Sequence, residues 1–198
     1  MGETKKSGGN IRRTYKDQHR FEHWYRDNQV YFITVRTRLG YPAFADEDAK
    51  HIFWNRFNHY TKQYGFTPFV TSLLDNHYHT LGYLKHGNQL PRMMQGIQGS
   101  TAKLVNDTLP QRHVPFWHEN KNKSYFDGCI RDEKQCRLSY RYVCIQSERH
   151  GVCDDWAGYA HTRINVELEC AVERALERNA FLTGVPYKRY QQRNPKGT

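Results

Sequence analysis

The sequence predicts an α+β fold: a ferredoxin-like (RRM-like) antiparallel sheet with helices on one face, and a helical extension after it. Three observations carry this. Period-two and helical patterning alternate in the order strand, helix, strand, strand, helix, strand, helix. Two of the strands are joined by only Asp75-Asn76, the tight link of an antiparallel hairpin. The chain has 198 residues, enough for one core with an appendage, and its 14% aromatic residues offset a low apolar fraction of 37%.

Residues 1–20 are polar, with Gly8-Gly9 among basic residues. They read equally well as a basic tail that touches phosphate and as simple disorder. Residues 21–152 are expected to form the main domain, and 153–198 a helical, basic extension. Val30 to Arg38 alternates as a strand and ends ahead of Gly40 and Pro42. Asp46 starts a helix in which Ile52, Phe53, Phe57, Tyr60 and Tyr64 keep helical spacing, and Gly65 stops it. His51 and His59 on that helix read as surface residues. Phe66 to Leu74 and His77 to Leu84 are the hairpin strands. Asn88 is a plausible cap for a helix whose stripe is Leu90, Met93, Met94, Ile97, Leu104 and Val105, the methionines filling core.

Pro110 to Lys123 is an irregular loop. Phe116 and Trp117 either anchor it on the core, the slightly better reading, or stack on bases beside Lys121 and Lys123. Ser124 to Arg131 is the last strand of the sheet. Asp132, with Gln135 three residues on, opens a helix expected to run to about His150, with Gly151 as its stop. Beyond Trp156, Tyr159 and His161, a helix is expected from about Asn165 to Phe181, with Val166, Cys170, Val172, Ala175 and Leu176 as its stripe. The basic, aromatic end, Pro186 to Arg193, either follows a nucleic-acid strand or packs on a second subunit.

The net charge of +10 favours a polyanionic partner, and interleaved tyrosines and arginines favour nucleic acid. Arg36, Arg38, Lys103, Lys121 and Lys123 are the candidate phosphate contacts; a solvated helix face explains Lys103 equally well. No apolar run reaches spanning length and the first residues lack a signal-peptide pattern, so a soluble intracellular protein is expected. The five cysteines, Cys129, Cys136, Cys144, Cys153 and Cys170, form no Cys-x-x-Cys pair. They read as reduced thiols rather than a zinc ribbon or a disulfide framework.

Two stretches carry chemistry. In His77-Tyr78-His79 the alternation of a strand puts both imidazoles on one face and Tyr78 on the other. That is half of a metal site, or else a pair of half-buried polar residues beside a hairpin. Tyr142 and Gln146 lie four residues apart on one helix face, and His150 extends it by a turn. Alone they describe an ordinary amphipathic helix. Together the two stretches say more. A phenol with a pKa of about 10 is a poor nucleophile unless the attacked group is polarised. Two imidazoles and an amide oxygen would hold a divalent cation with open positions, a set better suited to Mn or Mg than to structural zinc.

His77-Tyr78-His79 resembles the signature of the HUH endonuclease superfamily, and Tyr142 with Gln146 resembles the catalytic helix of its single-tyrosine transposases. Val30 to Arg38, Met93 to Ser100, Phe116-Trp117 and Tyr125 to Asp132 look like its flanking elements, so the similarity spans about Val30 to Val152. Arg141-Tyr142 through Arg149-His150-Gly151-Val152 resembles the REP-associated members in particular. Those usually carry Asn-Pro where this chain has Gln146-Ser147, and Gln146 is closer to the insertion-sequence transposases. The resemblance implies a central histidine strand. It implies His77, His79 and Gln146 as ligands of a Mg or Mn cation, and Tyr142 as the nucleophile. It implies cleavage and rejoining of single-stranded hairpin DNA through a 5′-phosphotyrosine link, in a bacterial cytoplasm at the nucleoid. A homodimer sharing active sites is one option. The alternative function is a domesticated relative that holds a structured single strand without cutting it.

Overall fold

The strands Gln29–Arg36 (β1), Phe66–Leu73 (β2), His77–Leu84 (β3), Phe126–Cys129 (β4) and Thr162–Ile164 (β5) pair antiparallel in the order β4-β1-β3-β2-β5. This is the computed structural model, which describes residues 25–119 and 124–182. The helices are Glu47–Tyr64 (α1), Leu90–Asn106 (α2), Glu133–Cys144 (α3), the short Gln146–Arg149 (α4) and Leu168–Glu177 (α5). The first four strands have the expected ferredoxin-like order, with β3 in the middle of the sheet. The basic tail, Lys121 and Lys123, and the Pro186–Arg193 segment lie outside the described residues.

Alternation along β1 and β3 divides the core in two. Tyr31, Ile33, Val35, Tyr78 and Leu84 face α1 and α2, where Phe53, Phe57, Met93 and Ile97 bury them. Val30, Phe69, Val70 and Leu81 face the other way, under Cys136, Tyr140 and Val143 of α3 and Ala171, Val172 and Ala175 of α5. Helices therefore cover both faces: α1 and α2 the expected one, α3 and α5 the opposite. α1 and α2 approach closely at Gly96, where an added Cβ would lie 2.5 Å from Tyr60 Cδ1. Phe116 and Trp117 are buried, and the Trp117 indole donates to the Gln98 carbonyl at 2.9 Å, so they anchor the loop on the core.

Several expected boundaries shift for identifiable reasons. α1 keeps both its signals: Asp46 accepts from the Asp48 amide, and Gly65 takes the left-handed conformation. Asn88 does not cap α2; it lies in the 3-10 turn Gly87–Gln89, and the helix begins with Pro91 in its first turn. Leu104 is 37% exposed rather than part of the buried stripe. β4 is half the expected length. Asp132 and Gln135 do form a reciprocal cap on α3, with Asp132 accepting from the Gln135 amide and the Gln135 side chain accepting from Arg131 N.

Beyond Gly151 the chain adds β5 to the β2 edge, a strand the patterning does not announce. α5 starts at Leu168, later than expected, and its stripe is Ala171, Val172 and Ala175; Cys170 and Leu176 face solvent. His161 and Arg163 hold β5 to α1. The Trp54 indole donates to His161 Nδ1 at 3.0 Å, His161 Nε2 meets Glu47 at 2.9 Å, and Arg163 lies over the Trp54 ring at 3.9 Å. The Val30 amide donates to Ala180 O, and the Leu182 amide to Ile130 O.

Candidate active site

His77 and His79 project from β3 on the α3 side of the sheet, because Tyr78 between them is buried on the other side. The Tyr78 ring lies 4.7 Å from Phe53 and 6.1 Å from Phe57, measured between centroids. Slipping β3 by one residue would put the histidines under α1 and Tyr78 on the α3 side, so the aromatic core fixes which face the imidazoles occupy. Register with β1 places Thr34 opposite His79 and Arg36 opposite His77.

Both imidazoles are almost wholly buried, at 4% and 2% exposure. Burial, then the charges of His150 and Arg36, hold the His77 pKa down to about 4. Burial, then His77 and nearby cations, hold His79 down to about 3. Both rings are therefore neutral at pH 7, the form in which imidazole binds a metal. His77 Nδ1 lies 2.6 Å from Asn76 Oδ1, and His79 Nδ1 lies 2.8 Å from Thr34 Oγ1. These bonds occupy Nδ1 and leave Nε2, the second-sphere pattern of metal-ligating histidines.

α3 crosses this face and is interrupted at Ile145. The Gln146 side chain causes the break: its Nε2 donates to the Tyr142 carbonyl at 2.6 Å, the acceptor that the next helical amide would otherwise use. The expected single helix to His150 is thus two pieces, with Gly151 ending the second at φ 65. The break turns Gln146 inward, to 1% exposure. Its Oε1 is buried with no hydrogen-bond partner among the described residues, and so is His77 Nε2. An orphaned buried acceptor costs about 1–3 kcal/mol. A bound cation is one partner that would satisfy such an acceptor. Among the described residues no group of three or more His, Cys, Asp or Glu could hold a metal.

Tyr142 stands at the rim, half-buried. Its ring lies edge-on to His79 at 5.2 Å and to Phe32 at 5.8 Å, and the Arg149 guanidinium sits 5.2 Å above it. His150 is exposed, with its ring 4.7 Å from His77. Tyr140, two residues earlier, is buried and donates to the Val166 carbonyl at 2.9 Å, which commits its hydroxyl to structure.

The sheet thus brings together His77, His79 and Tyr142, with Arg36 exposed beside them, and Gln146 lies buried on the short helix between Tyr142 and His150. Arg38, two residues beyond the end of β1, opens a 3-10 turn and is also exposed. Lys103 is exposed on α2, which covers the opposite face, so it is not part of this cluster. Sequence reasoning missed Thr34, Asn76 and Arg149. Asn76 adjoins His77 in sequence and could have been found; Thr34 is visible only once the strand register is known.

The solved structure of a REP-associated tyrosine transposase bound to a REP hairpin superposes with a TM-score of 0.60 at 15% identity, over 81% of this chain and 87% of that one. At that identity the likeness is one of fold. A Deinococcus radiodurans R1 protein assigned as a transposase gives a TM-score of 0.42 at 16% identity, over 58% of this chain and 87% of that one, too slight a likeness to carry weight. No family model and no curated protein matches the sequence.

Proposed function

We propose that the protein is a transposase-type endonuclease. It binds single-stranded hairpin DNA, then cleaves and rejoins it through Tyr142 with the help of a divalent cation. The observation that carries this reading is the pair of orphaned buried acceptors, His77 Nε2 and Gln146 Oε1, beside a half-buried tyrosine. The shared fold of a transposase bound to a REP hairpin supports the choice of substrate.

The chain's own groups divide the work. The Tyr142 oxygen attacks the backbone phosphorus, the bond from phosphorus to the 3′-oxygen breaks, and a 5′-phosphotyrosine link and a free 3′-hydroxyl result. Among the described residues no side chain hydrogen-bonds the Tyr142 hydroxyl, so its proton passes to water, and water supplies the proton of the departing 3′-oxygen. The link conserves the phosphodiester energy, and a second 3′-hydroxyl reverses the step to join a new strand. Phe32 and His79 hold the Tyr142 ring edge-on. Arg149 and Arg36 offer cationic groups to the phosphate on either side. A Mg or Mn ion held by His77, His79 and Gln146 would polarise the phosphate oxygens. Among the described residues no helix is long and apolar enough to cross a membrane.

The test is cleavage of end-labelled hairpin oligonucleotides with single-stranded flanks, with Mn²⁺ and with chelator. Wild type is expected to nick only with the cation. Tyr142→Phe is expected to lose nicking and keep binding, since Lys and Arg phosphate contacts supply most of the affinity. Binding without cation-stimulated nicking across hairpins from the gene's own flanks would instead support a non-cleaving single-strand binder.

A further inference from the structure

Asn76 occupies the two-residue turn between β2 and β3 and uses both ends of its amide. Nδ2 donates to the Gly40 carbonyl at 3.1 Å, and Oδ1 lies 2.6 Å from His77 Nδ1. The first bond sets the amide's orientation, because a flipped amide would press two oxygens together. Oδ1 can only accept, so His77 Nδ1 carries the ring's proton. Nε2 is then a lone pair, and it is this atom that lies buried without a partner among the described residues. An Nε2–H in the same place would aim a buried donor at the site and close it to a cation.

The turn itself is pinned. The Asn76 carbonyl accepts from the Thr37 amide at 2.9 Å and from the Thr37 hydroxyl at 3.0 Å, and the Asp75 carbonyl accepts from Phe44 N at 2.8 Å. The amide therefore has one end on the loop that carries Arg38 and the other on the histidine.

We infer that Asn76 is a positioning residue: its amide locks His77 with the proton on Nδ1 and presents Nε2 to the cation position. The consequence for metal affinity rests on the cation site of the proposed function; the tautomer itself does not.

The experiment uses the full chain, metal-free and ¹⁵N-labelled. Long-range ¹H–¹⁵N correlation spectra read the His77 tautomer, and calorimetric titration with Mn²⁺ reads affinity. Wild type is expected in the Nδ1–H form. Asn76→Ala is expected to move His77 to Nε2–H and to weaken Mn²⁺ binding about 10- to 100-fold. Asn76→Asp keeps the acceptor for His77 and loses the donor to Gly40. It is expected to retain Nδ1–H and at least wild-type affinity, which a merely structural role for the turn would not produce. If the alanine variant does not fold, the aspartate variant decides alone. Nε2–H in wild type, Nε2–H in Asn76→Asp, or Nδ1–H persisting in Asn76→Ala would each overturn the inference. Wild type in the Nδ1–H form with no affinity for Mn²⁺ would overturn the cation reading and leave the tautomer assignment standing.

Discussion

Replacing Gln146 with Met separates what this side chain does for the fold from what it does for the site. Gln146 is 1% exposed; its Oε1 has no partner among the described residues and its Nε2 bonds the Tyr142 carbonyl. Removing the orphaned oxygen should recover about 1–3 kcal/mol, and losing the Nε2 bond should cost about 1 kcal/mol. Methionine fills a similar volume, so the metal-free variant should be as stable as wild type or slightly more so. The cation response should differ sharply. At a Mn²⁺ concentration 100 times its dissociation constant, binding stabilises the folded state by about 2.7 kcal/mol. For a chain of this size that is roughly 5–11 °C in Tm. Thermal unfolding followed by circular dichroism, with and without Mn²⁺, reads both quantities. Wild type should show the full rise, and Gln146→Met less than about 2 °C, as one ligand of three is gone. A metal-free Tm lower than wild type by more than about 5 °C would mean that Oε1 is satisfied in the folded protein. An undiminished Mn²⁺ shift would mean that the cation binds elsewhere. Either result refutes the reasoning.

Three further outcomes are expected. The Tyr78 hydroxyl is buried with no partner among the described residues, so Tyr78→Phe should raise the urea midpoint at unchanged m, a gain in stability of about 1 kcal/mol, and a lower midpoint would reveal a partner for it. Gly96→Ala would set a Cβ 2.5 Å from the Tyr60 ring and should cost about 1–3 kcal/mol by forcing α1 and α2 apart; a neutral result would show that the ring gives way. Burial holds His161 below its ordinary pKa, and its Nδ1 already accepts from Trp54, so protonation would break that bond. The unfolded chain thus binds more protons below about pH 6.5, and the stability present above that pH is lost as pH falls. His161→Gln should flatten the fall in urea midpoint between pH 7 and pH 5, and an unchanged slope would contradict the assignment.

Signals confined to a few adjacent residues survived the passage from sequence to structure. Asp46 and Gly65 bound α1, the Asp75-Asn76 link makes the hairpin, and strand alternation alone puts His77 and His79 on one face. Features made by distant partners did not. β5 has three residues and exists because β2 offers a free edge; nothing in Thr162–Ile164 alone announces it. The break at Ile145 is made by a side chain competing for a main-chain acceptor, which helical periodicity does not register. The expected α5 stripe held at Val172 and Ala175 but took Cys170 where Ala171 is buried, because a small alanine beside a cysteine gives a weak contrast. Lys103 illustrates the same limit for charge: its sign suggests phosphate, but the face it occupies depends on how α2 packs.

The central claim is that the Tyr142 oxygen, beside a cation position formed by His77, His79 and Gln146, becomes joined to DNA. A hairpin substrate with sulfur in place of the scissile 3′-oxygen releases a thiol that rejoins poorly and so traps the joined state. Mass spectrometry of the digested adduct, formed with Mn²⁺, then reads the attachment site. A nucleotide on the peptide at Tyr142, absent in His77→Ala, is the predicted result; a nucleotide on Tyr140 or on any other residue would contradict the account.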